Sequence, residues 1–155
     1  MYEKRGVLNA VNPGWEKLTL TVDSGASDTV APPTVCSLAP LVKGPRFGIE
    51  YEVANGETVD NMGERDCLMK TGEIEAADPG MEMKFQVVDV SKALLSVNRV
   101  CEQGHDVLFS KRDGGSAILV NGDPKKRIPL RNSGGTYELD VWVKPNPNSG
   151  FSRLA

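Results

Sequence analysis

The chain has 155 residues, with 18 Lys and Arg against 21 Asp and Glu, for a net charge of −3. That length suits one domain with a real core and not two large ones. The charge balance leaves no basic footprint for nucleic acid, and no apolar run reaches membrane-spanning length, so neither partner is expected. Sixteen glycines, ten prolines and short β-branched runs point to many strands and turns. Cys36, Cys67 and Cys101 are odd in number and far apart, which suggests buried structural thiols in a reducing compartment and no disulfide framework. Met1 to Arg5 is polar, without an apolar signal segment, and no Asn-X-Ser/Thr sequon occurs. A soluble, cytoplasmic domain without a cofactor or metal is expected.

In chain order, Val7 to Val11 reads as a strand, Asn12-Pro13-Gly14 as a turn, and Lys17 to Asp23 as the returning strand. Leu18, Leu20 and Val22 share one face of that strand, because side chains alternate. Pro32-Pro33 halts regular structure, and Cys36 to Arg46 reads as loop. Phe47 to Val53 and Glu57 to Met62 flank Ala54-Asn55-Gly56, a hairpin signal in which Asn and Gly both tolerate positive φ. Arg65 to Thr71 and Met81 to Val90 read as strands around an Asp78-Pro79-Gly80 turn. The spacing predicts a short helix from a Ser91 cap through Val100 or Cys101, stopped by Gly104. His105 to Phe109, Ala117 to Val120, Arg127 to Leu130 and Tyr137 to Val143 follow as strands. Lys125-Lys126-Arg127 reads as a solvated strand end. Residues 145–155, rich in Pro, Asn, Ser and Gly, read as a disordered tail.

Chemistry gathers at Asp23-Ser24-Gly25-Ala26. Asp-Ser-Gly is ordinary turn chemistry. Here, however, it follows an apolar strand, which delivers Asp23 rigidly at a strand end, where a carboxylate can be both placed and partly desolvated. The glycine allows a tight turn and a close backbone approach. The same order continues with the hairpin at Ala54-Asn55-Gly56 and the segment Ala93-Leu94-Leu95-Ser96-Val97-Asn98.

Together these motifs resemble the retropepsins, the aspartic proteases of retroviruses and retrotransposons, over roughly residues 6–109. Val53-Ala54-Asn55-Gly56, the run Leu94 to Gly104, and Gly135-Thr136-Tyr137-Glu138-Leu139-Asp140 resemble copia-type polyproteins in particular. The resemblance implies a mainly β, closed-barrel acid-protease fold with one short helix. It implies a protease domain over 1–110, a β-hairpin extension over 111–144 leading toward a pre-integrase region, and the tail over 145–155. It also implies an aspartic endopeptidase that processes a retrotransposon-type polyprotein, with Asp23, Ser24 and Gly25 as catalytic positions. Ala26, Ser27, Asp28, Val53, Ala54, Asn55 and Gly56 would contact an extended peptide, with Asp28 favouring polar or basic neighbours. Only one Asp-Ser-Gly is present, so the resemblance implies a homodimer that pairs two Asp23 across a two-fold axis. The family's supporting Asp–Arg ion pair falls on Ser27 and Val97, so that strut is expected to be missing as a pair.

Rival chemistries lack parts. A Ser-His-Asp hydrolase has only His105 to draw on, expected as an exposed turn or strand-start residue, and no Gly-X-Ser-X-Gly elbow. Zinc binding by Cys101 and His105 lacks two ligands at suitable spacing. A catalytically inactive dimerisation or peptide-binding module on the same fold is the alternative that the motifs leave open.

Overall fold

A computed structural model of the chain describes residues 14–71, 80–147 and 152–155. Its strands are β1 (Glu16–Asp23), β2 (Val30–Ala31), β3 (Glu50–Glu52), β4 (Thr58–Asp60), β5 (Glu64–Lys70) and β6 (Met81–Val87). They continue as β7 (Ala93–Ser96), β8 (Asp106–Leu108), β9 (Ala117–Leu119), β10 (Arg127–Pro129), β11 (Arg131–Ser133) and β12 (Thr136–Pro145). One α-helix, α1 (Val97–Glu102), lies between β7 and β8. Val7 to Val11, Asn12-Pro13 and Asp78-Pro79 lie outside the described residues.

Six strands close into a barrel in the order β1-β7-β2-β6-β5-β12, and β12 returns to pair with β1. Alternation explains the closure. Leu20 and Val22 of β1 and Leu139, Val141 and Val143 of β12 are buried, and Leu20 sits opposite Leu139 in the antiparallel register. Met83 and Phe85 of β6, Cys67 and Met69 of β5, and Leu95 of β7 join the same core. Outside the barrel lie a three-stranded sheet, β10-β9-β8, and the separate two-stranded hairpin β3-β4. The stretch 111–144 supplies all but the last residue of β12, which pairs with β1 over seven residues from Tyr137 to Val143 and with β5 from Trp142 to Pro145. Among the described residues no helix is long and apolar enough to cross a membrane.

The expected helix from Ser91 is corrected. Ala93–Ser96 is a strand, parallel to β1 from Leu20↔Ala93 to Asp23↔Ser96, and its Leu94 also pairs with Val30 of β2. Barrel pairing on both sides outweighs local helix preference. The helix starts at Val97 with Ser96 as its N-cap, and Gly104, at φ +92°, follows its last turn. The hairpin turn also differs, since only Gly56 takes positive φ (+84°). Gly56 N–H bonds the Val53 carbonyl and Val53 N–H bonds Glu57, giving a three-residue loop in place of a two-residue primed turn.

The tail is corrected where it is described. Ser152 to Ala155 runs along β6: Glu82 N–H donates to Ser152, Leu154 N–H to Glu82, and Lys84 N–H to Ala155. The Leu154 side chain is fully buried, and Arg153 pairs with Glu82 and Asp66. Leu154→Ala is therefore expected to cost about 2–3 kcal/mol in urea unfolding, as for a buried leucine; no change would mean that this segment is dispensable. His105 immediately precedes β8, and it is buried there where an exposed position was expected (3% accessible). Its Nδ1 accepts the Asn121 N–H, so Nε2 carries the proton and donates to the Arg153 carbonyl at 2.8 Å. Of the cysteines, Cys36 and Cys67 are buried and free, whereas Cys101 is exposed. Hydrogen bonding to Cys36, and then burial, push the Cys67 thiol up, away from nucleophilic behaviour.

Candidate functional site

Asp23 is the last residue of β1 and pairs in register with Ser96. The chain turns immediately, with Ala26 N–H reaching back to the Asp23 carbonyl. Gly25 N–H donates to Asp23 Oδ1 at 2.8 Å, fixing the carboxylate over the turn. Gly25 does not occupy the left-handed region, and a Cβ there would sit 3.4 Å from Asp23 Oδ1, an ordinary contact. What this glycine provides is bareness beside the carboxylate, without a left-handed backbone.

Ser96 holds the turn from beneath. Its buried hydroxyl donates to the Ala26 carbonyl at 2.7 Å and accepts the Arg99 N–H that begins α1, while its own N–H reaches Thr29 Oγ1. One side chain thus serves as helix cap and loop support together. Ser96→Ala removes both bonds and leaves the Ala26 carbonyl unmatched, so a loss of about 1–2 kcal/mol is expected in chemical denaturation. A neutral substitution would remove Ser96 from the support.

Asp28 is the electrostatic centre of the site, with 2% of its surface accessible. Arg99 Nη2 and Nε reach its Oδ1 at 2.6 and 2.8 Å, and Arg46 Nε and the Tyr51 hydroxyl reach its Oδ2 at 2.5 and 2.7 Å. Burial alone would raise its pKa, but the hydrogen bonds from Tyr51, Arg99 and Arg46 outweigh it and hold the carboxyl below its ordinary range. Both oxygens are engaged by protein donors, so the expected attraction of this carboxylate for polar or basic substrate neighbours loses its basis. Ser27 and Val97 carry no ion pair between them, but one and two positions beyond them Asp28 and Arg99 do.

The β3-β4 hairpin lies across this loop. Ile49, Tyr51 and Val53 are half-buried while Glu50 and Glu52 are exposed, as strand alternation dictates. Asn61, just past β4, donates to the Tyr51 hydroxyl at 3.0 Å and to Gln86 Oε1 at 2.7 Å. Beneath the hairpin lies a cavity of about 500 Å³. Asp23, Gly25, Ala26, Ser27, Asp28, Val53 and Ala54 all line it, and Val30, Val59, Val88 and Leu94 make its remaining wall largely apolar. Ser24 is exposed on the turn, and Asn55 and Gly56 are exposed at the hairpin tip, outside that lining. On the far side of Asp28 a smaller cavity of about 220 Å³ is bordered by Arg46, Glu64, Lys84, Arg99 and Arg153.

Tyr51, Asn61, Arg46 and Arg99 were not singled out from the sequence. Tyr51 had a signal in the Ile49-Tyr51-Val53 alternation, which placed it inward. The other three are assembled only by tertiary contact. Among the described residues no group of three His, Cys, Asp or Glu is arranged to hold a metal ion. No family model, no curated protein and no solved structure matches the chain.

Proposed function

We propose that the protein is an aspartic endopeptidase of the retropepsin type that processes a copia-like polyprotein as a homodimer. The observation that carries this reading is the fixed Asp23 carboxylate at a strand end, opening into a largely apolar cleft beneath a hairpin. An extended peptide would lie in that cleft and pair with the backbone of the hairpin. The bare Gly25 would leave room for the matching turn of a second copy.

In the dimer, two Asp23 carboxyls share one proton around a water. The ionised carboxylate takes a proton from the water as its oxygen bonds to the scissile carbonyl carbon. The protonated partner gives its proton to the carbonyl oxygen, producing a neutral gem-diol. Collapse of that intermediate breaks the C–N bond, with the proton held by the first carboxyl passing to the leaving nitrogen. One of the two diol protons passes to the second carboxyl, which restores the starting pair, and the other stays on the product carboxylic acid.

The test is mass spectrometry of a diverse peptide pool incubated with wild type or Asp23→Asn, from about pH 4 to pH 7. Cuts made by wild type alone support the protease. Folded, dimeric protein that binds peptides and cuts none would favour the inactive binding module. Because one chain supplies one Asp23, specific activity is expected to fall on dilution below the dimer dissociation constant. Full activity from a monomer would refute the shared site.

A further inference from the structure

We propose that Tyr51 is a positioning residue that couples the flap hairpin to the catalytic turn through Asp28. The hairpin is its own two-stranded sheet, and among the described residues it shares no strand pairing with the barrel. A free two-stranded hairpin is marginal in water, so something other than strand pairing must hold it over the cleft. At its base Met62 N–H bonds the Val87 carbonyl and Asn61 bonds Gln86, and nearer the cleft Tyr51 supplies the hold. Its hydroxyl donates to buried Asp28 at 2.7 Å and accepts from Asn61 at 3.0 Å, so β3 and the residue that follows β4 are tied at one oxygen.

Asp28 passes the restraint on. The same carboxylate is held by Arg99 of α1, whose Nε also donates to the Ser27 carbonyl. Flap, helix and catalytic turn therefore meet at one charged group. A hydrogen bond to an ionised acceptor is stronger than a neutral one, which suits Tyr51 to this task. The exposed tip, Ala54 to Glu57, lies beyond the tether. Peptide entry would then require movement of the tip, while the base at Tyr51 and Val59 stays fixed and keeps the cleft formed before substrate arrives.

Tyr51→Phe in the full chain tests this by removing one oxygen and keeping the ring. In hydrogen exchange, amides of residues 50–60 are expected to exchange about tenfold faster in the variant, with those of β1, β5 and β12 unchanged. Unchanged flap exchange, or equal acceleration in the barrel, would overturn the proposal. A second arm rests on the protease reading and uses a peptide that wild type cleaves. There KM is expected to rise about tenfold with kcat nearly constant, because the flap must be ordered on binding. A fall in kcat at constant KM would overturn the positioning role. If no peptide is cut, the protease reading fails, while the exchange result still decides the role of Tyr51.

Discussion

Asp23→Asn is expected to reduce peptide cleavage by about a thousandfold or more while leaving the fold intact. The size follows from its role, since acid–base participation alone contributes roughly 10² to 10⁴ in rate. In the dimer proposed above, an amide in each subunit can neither take the proton of water nor return one to the leaving nitrogen. Stability is expected to hold, because Asp23 is only partly buried and Asn can still accept the Gly25 N–H at Oδ1. Residual cleavage within tenfold of wild type would place the chemistry elsewhere.

Asp28→Ala is expected to cost about 3 kcal/mol of stability, the lower end for breaking a buried ion pair. Asp28 is buried, whereas the Arg46 and Arg99 side chains keep about a third of their surface in water and can be hydrated once released. The effect carries a pH signature. The folded-state pKa of Asp28 lies below the unfolded value of about 3.9, so its stabilisation is fully present above that value. The contribution is lost as pH falls through the depressed folded value. Urea unfolding at pH 7, 4 and 2.5 is therefore expected to show wild type and Asp28→Asn converging in stability at the lowest pH. A gap that stays constant across the series would mean that the charge of Asp28 contributes nothing.

Local periodicity made β1, the hairpin and the alternation of β6 legible, because each has a pattern contained within a few residues. Leu94 and Leu95 were ambiguous for the same reason, since an adjacent apolar pair fits a helix face or a buried strand equally well. Only pairing with β1 and β2 decides between them. The site divided along the same line. Asp23 stood out through its neighbours in sequence, but the Asp28–Arg99 contact joins residues 71 positions apart. That pair lies one and two positions beyond Ser27 and Val97, so a reading confined to those two positions misses it. Ser152 to Ala155 misled through composition, as polar tail residues say nothing of the open side of β6 that receives them.

The closure of the barrel by β12 has a consequence for biosynthesis. Thr19 bonds Asp140 across 121 residues, and the strand carrying Asp23 acquires its antiparallel neighbour only when Thr136–Pro145 has been made. During translation β1 must wait with that edge unpaired, open to association with other nascent chains. Such distant pairing makes folding slow relative to local hairpins. A chain made only as far as residue 135 would carry Asp23 on a strand that lacks its antiparallel partner, so the placement of that carboxylate depends on residues more than a hundred positions downstream.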